Sequence, residues 1–146
     1  MSSKDKDLGF KEIVTNFKKL SGVTIKIGIQ ADAGSNQVTG EKVVDYAYLN
    51  EFGTNKIPQR SFIRSTFDEQ NKNWYKAAAD INITGNILAD LKKIGVQATN
   101  DITKKIDTTY YPPNSPFTIA KKGSSKPLID TGQMRASVKY VIEGLL

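Results

Sequence analysis

The stretch Ile87-Leu-Ala-Asp-Leu-Lys-Lys-Ile-Gly-Val-Gln-Ala-Thr-Asn-Asp-Ile-Thr-Lys-Lys-Ile106 decides how this chain folds. Ile87, Leu88, Leu91, Ile94, Ala98, Ile102 and Ile106 return at intervals of three and four. That spacing holds one apolar face over more than five helical turns. A stripe of that length needs an apolar surface to cover it. Just upstream, Trp74, Ala77, Ala78 and Ile81 form another helical stripe, and Thr66 with Glu69, or Ser65 with Asp68, has capping-box spacing. Gly85 interrupts the pattern and Thr84 is placed to cap a second helix, so 66–106 reads as one kinked helix or two.

The covering surface is written at the two ends of the chain. Val23-Thr-Ile-Lys-Ile-Gly-Ile-Gln30 alternates with period two, which points Val23, Ile25, Ile27 and Ile29 to a core and Thr24, Lys26 and Gln30 to water. Val138 to Ile142 reads as a closing strand, after a short helical turn through Arg135 that Thr131 can cap. Before the first strand, Phe10, Ile13, Val14, Phe17 and Leu20 define an amphipathic helix over 8–20, with Gly22 as its stop. Residues 43–51 read as a short helix with Val44, Ala47 and Tyr48 on one face, which Gly53 can end in a left-handed conformation. The fold class expected is α+β, a small, mostly antiparallel sheet packed against one or two long helices, in a single domain over 1–146.

Two segments are expected as long loops, the first of them a hairpin tip or a mobile arm. Residues 31–42 are rich in Gly, Ser, Asn and Thr, and 107–127 hold Tyr110-Tyr-Pro-Pro-Asn-Ser-Pro116 and Gly123-Ser-Ser-Lys-Pro127. Residues 1–7 are polar, with no apolar signal core behind them, and are expected to be flexible. Nothing approaches the ~20 apolar residues of a membrane-spanning helix, so no membrane role is expected.

Composition narrows the chemistry. Cys and His are absent from all 146 residues. That removes thiolate and imidazole metal ligands, disulfides, and the Ser-His and Cys-His nucleophile pairs. Net charge is +6 and uneven: residues 1–70 carry ten Lys and Arg against nine Asp and Glu, while 71–146 carry eleven against six. Such a bias attracts nucleic acid or an acidic protein surface, or serves only solubility.

Individual motifs point away from catalysis. Lys121-Lys-Gly-Ser-Ser-Lys126 lacks the order of a phosphate-binding loop and reads as a solvated basic loop. Asp130-Thr-Gly132 has the tripeptide of aspartic proteases, but that chemistry needs two such carboxylates sharing a proton, and Asp130 or Thr131 as a helix cap is the simpler role. Tyr110, Tyr111 and Phe117 offer stacking faces, although beside prolines they anchor loops more often. No metal, cofactor or catalytic residue is expected, and the chain is not expected to be an enzyme. The block Asn50-Glu-Phe-Gly-Thr-Asn-Lys-Ile-Pro-Gln-Arg-Ser-Phe62 mixes a carboxylate, aromatics and an arginine. Pairing of Glu51 with Arg60 or Arg64 would either fix a surface for a neighbouring subunit or staple the loop locally.

Two blocks in this order carry a resemblance. The first is Tyr46-Ala-Tyr-Leu-Asn-Glu-Phe-Gly-Thr-Asn-Lys-Ile-Pro-Gln-Arg-Ser-Phe-Ile-Arg64, and the second is Lys126-Pro-Leu-Ile-Asp-Thr-Gly-Gln-Met-Arg-Ala-Ser137. With a long helical middle between them, the chain from about Val23 to its end resembles the phage virion-morphogenesis family, also called minor tail, neck or tail-completion proteins. Members show N-E-F-G-T…I-P-x-R-P-F-L-R and K-P-L-I-D-T-G-x-L-x-x-S. Here Ser61 replaces the usual Pro and Met134 the usual Leu.

The resemblance implies a structural role in the virion neck or tail of a tailed bacteriophage, made in the host cytoplasm. It implies partners that are copies of this chain in a ring, commonly a hexamer, together with head-connector or stopper, tail-terminator and tail-tube proteins. DNA in the channel is a further non-specific contact. Glu51, Phe52, Gly53, Arg60, Phe62 and Arg64 are expected as one contact- or loop-organising group, and Leu128, Ile129, Asp130, Thr131 and Gly132 as a second. The 31–42 and 107–127 loops are expected to reach neighbours and order on assembly. The alternative function is a nucleic-acid-binding module that uses the basic C-terminal half.

Overall fold

A computed structural model of the chain describes residues 9–37, 39–109, 115–122 and 132–145. The elements run α1 (Phe10–Leu20), β1 (Thr24–Ile29), α2 (Val43–Phe52), α3 (Ile63–Ala79), α4 (Ile87–Thr108), α5 (Pro116–Lys122), α6 (Gln133–Ala136) and β2 (Val138–Glu143). The architecture is α+β with a small antiparallel sheet, as the two periodicities require. Residues 66–106 resolve into two helices. Asn86 rather than Thr84 caps the second, its side-chain oxygen accepting the Ala89 amide at 3.0 Å. Thr84 instead bonds back to Asn82 inside the connecting turn.

Helix α4 is the centre of the molecule. Its Ile87, Leu91, Ile94, Gly95, Ala98, Ile102 and Ile106 are buried, whereas Leu88 lies at the edge of the stripe and is 39% exposed. On one side lies the β1–β2 ribbon, in a register that sets Ile25 against Ile142, Ile27 against Tyr140 and Ile29 against Val138. Lys26 and Glu143 form an ion pair at 2.8 Å on the other, wet face. Gly95 explains how close the ribbon sits: a methyl group there would overlap the Tyr140 ring. Glycine inside a helix costs about 1 kcal/mol relative to alanine, and here the cost is offset by the close approach of the aromatic ring.

Helix α3 returns antiparallel to α4. The Trp74 indole N–H donates to Asp101 at 2.8 Å, and Lys105 pairs with Glu69. The core beyond is built where α2, α4, α6 and the ribbon meet, from Val43, Tyr46, Ala47, Phe62, Ile102, Ile106, Met134 and Val138. Arg135 of α6 closes this end with a two-pronged contact to Asp107, both prongs at 2.8 Å.

Two expectations are corrected and one open alternative is narrowed. The buried face of α2 is Val43, Tyr46, Ala47 and Glu51, while Tyr48 is 61% exposed. The helix is turned so that Glu51, not Tyr48, reaches the interior. Of the two readings of 31–42, the described residues match the hairpin tip. Buried Asn36 receives the Thr39 amide on its side chain and the Gly40 amide on its carbonyl, its own N–H donates to Glu41, and Ser35 bridges Lys42. Finally, 107–127 is not one loop: α4 extends through Thr108 and α5 occupies Pro116–Lys122, starting at a proline, the residue best suited to a first helical position.

Candidate functional site

The first signature block forms a lock between α2 and α3. Helix α3 starts without a polar cap of its own, since Phe62 is the residue before it. Its first amides would therefore be orphaned in the protein interior. The carboxylate of Glu51, at the end of α2, takes them instead. It accepts the backbone N–H groups of Phe62 at 2.8 Å, Ile63 at 2.9 Å and Arg64 at 3.0 Å, and the Ser61 hydroxyl at 2.7 Å. The Arg64 guanidinium adds Nε to the same carboxylate at 3.2 Å and Nη2 to the Glu51 carbonyl at 3.3 Å. The capping boxes expected at Ser65 and Thr66 do not form. Those hydroxyls donate backwards within the helix, to the carbonyls of Ser61 and Phe62.

Glu51 is 4% exposed. Burying a carboxylate costs several kcal/mol unless it is fully hydrogen-bonded, so these donors account for its place in the interior. Burial by itself pushes its pKa up, but the Ile63 and Arg64 amides, the Ser61 hydroxyl and the Phe62 amide outweigh it and hold the pKa below the usual glutamate value. The negative charge also sits at the positive end of the α3 dipole.

The chain between the two helices is fixed by the same chemistry. Gly53 has φ 73°, and a side chain there would meet the Gln59 backbone nitrogen at 2.8 Å. The Arg60 amide donates to the Asn50 carbonyl at 2.7 Å and its guanidinium to the Asn50 side chain at 3.0 Å. Arg60 is buried, which pushes its pKa down. Of the two pairings expected for Glu51, the one with Arg64 forms; Arg60 turns to Asn50 instead.

The first group of expected site residues thus divides. Glu51, Arg60 and Phe62 are buried within the single chain and organise the loop, with Gly53 making its turn. Phe52 and Arg64 face outward: the guanidinium lies 4.5 Å above the Phe52 ring, and Tyr48 stacks on Phe52 at 4.6 Å. On α3, Phe67 and Tyr75 form a second exposed aromatic pair, edge to face at 6.3 Å. Sequence reasoning missed Asn50, Ser61, Tyr48 and Phe67. Ser61 serves two partners, its hydroxyl donating to Glu51 at 2.7 Å and accepting the Ser65 amide at 3.3 Å. Of the second group, Gly132 is left-handed (φ 73°) at the start of α6, while Leu128, Ile129, Asp130 and Thr131 lie outside the described residues. Tyr110 and Tyr111 also lie outside them, and Phe117 is 80% exposed.

Among the described residues no group of three or more carboxylates is arranged to hold a metal ion. Among them, too, no helix is long and apolar enough to cross a membrane. No protein-family model, curated protein or solved structure matches the chain.

Proposed function

We propose that this chain is a structural subunit of the neck or tail of a tailed bacteriophage, which completes the tail or joins it to the head as one member of a ring. The observation that carries this reading is how the first signature block uses its polar groups. Glu51, its one carboxylate, is buried and saturated by five donors, a use that serves rigidity rather than proton transfer. The lock presents Tyr48, Phe52 and Arg64 outward, and aromatic and arginine side chains are the types enriched in protein interfaces. The two-block resemblance supplies the virion setting. Ring stoichiometry and the partners named above belong to that same proposal.

The nucleic-acid reading has less support. Lys93, Lys105, Arg135 and Lys139, all from the basic half, are engaged by carboxylates. The test is a phage stock lacking the chain, viewed by electron microscopy alongside mass spectrometry of purified wild-type particles. Expected are free heads, unjoined tails, and the chain as a particle component. Normally joined, infectious particles without it overturn the reading. Binding to DNA by the monomer, weakening steeply with salt, with no affinity for head or tail proteins, replaces it with the rival.

A further inference from the structure

We infer that the groove between β1 and α3 receives helix α1 of a second copy of this chain, head to tail. The inference rests on the ring reading above and names the contact that builds the ring. The groove has a volume of about 590 Å³. Ile25 and Ile27 of β1 line one side, Ile63 and Phe67 of α3 the other, and Trp74 and Ile102 contribute as well. Phe67 is 43% exposed there.

The matching surface is on the same chain. Helix α1 has no fully buried residue; Val14 and Leu20 are half-buried, while the outer part of its stripe is open: Phe10 is 72% exposed, Phe17 57% and Ile13 36%. Its spacing of i, i+3 and i+7 is that of a helix seated in an apolar groove. The helix is tethered through Asn16, next to Ile13 and Leu20 on its surface, whose side-chain amide donates to the Ile83 carbonyl at 2.7 Å. It is therefore held against its own fold by this contact and by half-buried Val14 and Leu20, while Phe10 and Phe17 face water.

Charge and size both favour a copy of this chain as the occupant. Lys18 flanks Phe17 on α1, and Asp68 lines the groove beside Phe67. Among the described residues neither side chain has an ion-pair partner. Two phenylalanines and an isoleucine cover roughly 400–600 Å². That is less than the ~800 Å² per partner of a stable two-protein interface. One such contact would not hold a dimer, but a closed ring gives every copy two of them. Because helix and groove are different surfaces, the contact is heterologous, the kind that closes into rings.

The chain has no cysteine, so engineered thiols report without background. The full chain carrying F17C together with F67C is oxidised at concentrations where rings are visible in negative stain. The expected result is a ladder of disulfide-linked species beyond the dimer, whereas each single variant stops at the dimer. Charge reversal refines the test: K18E and D68K each cut ladder yield several-fold, and the two together restore it. Rings that give no ladder, or a disulfide formed within one chain, overturn this contact and leave the ring reading standing. A chain that is monomeric at every concentration overturns both.

Discussion

The 50–64 block and helix α1 are both mixed polar and apolar stretches beside a turn, yet they end in opposite states. In the block, Phe62 is fully buried, Glu51 is 4% exposed, and three amides, a hydroxyl and a guanidinium converge on one carboxylate. In α1 a comparable set of aromatics, Phe10 and Phe17, stands in water, with Asn16 bonded to the α3–α4 connection. The difference is one of partners rather than composition. The block finds the orphaned amides of α3 and the core around Met134 and Val138 within its own chain. Among the described residues, Phe10 and Phe17 of α1 find no such surface, although Val14 and Leu20 beside them are half-buried. A signature motif can therefore be internal scaffolding, while a plain amphipathic helix carries the surface open to association.

The sharpest way to break the comparison is to remove the lock. Glu51→Ala leaves three helix-end amides and the Ser61 hydroxyl without an acceptor in the interior, and should cost about 3–5 kcal/mol of folding stability in urea denaturation. A loss below about 1 kcal/mol, the size of an ordinary helix cap, would mean that water replaces the carboxylate without difficulty.

Acid titration probes the same group without deleting it. The folded pKa of Glu51 lies below its unfolded value, so its contribution is complete above the ordinary glutamate value of about 4.3 and is lost as pH falls through the folded value. Glu51→Gln lacks that ionisation. The stability gap between wild type and E51Q, about 2 kcal/mol near neutrality for hydrogen bonds to a charged rather than a neutral acceptor, should therefore narrow as pH falls below that range. A gap that widens in acid would reverse the assignment.

Gly95→Ala tests the packing on which both regions depend. Helix propensity alone favours alanine by about 1 kcal/mol. Overlap of the new methyl group with the Tyr140 ring should reverse the sign and destabilise by about 1–3 kcal/mol. Thermal denaturation distinguishes the two outcomes.

The smallest effect on folding should come from α1. Phe10→Ser and Phe17→Ser remove apolar surface that is mostly exposed, so each should change monomer stability by less than about 0.5 kcal/mol. A loss like that of E51A would place the stripe in the chain's own core.

Much of the fold was legible because periodicity is a local property. The α4 stripe, the alternation of β1 and the closing strand all came from spacing; the stop of α2 at Gly53 came from residue type, although its φ of 73° goes with an extended ψ of 171° rather than the left-handed helical turn expected. Hydrogen-bond partners were less legible. A Thr at 84 and a Ser or Thr at 65 and 66 each satisfy a capping rule, but Asn86 and Glu51 do the capping. Glu51 acts across eleven positions of chain, beyond any local rule. The outward face of α2 was misread for the same reason, since its orientation is set by where Glu51 must point.

Residue order alone gave the helical stripe of α4, the alternation of β1 and the absence of thiol and imidazole chemistry, because each depends on residue identity at short range; it did not reveal α5 or whether 66–106 is one helix or two. It took the packed molecule to show that the Glu51 carboxylate is an internal cap, that Arg64 rather than Arg60 pairs with it, and that Phe10 and Phe17 of α1 stay exposed. Those outcomes depend on which groups are left unsatisfied once helices and strands have packed, and that is a property of the assembled chain.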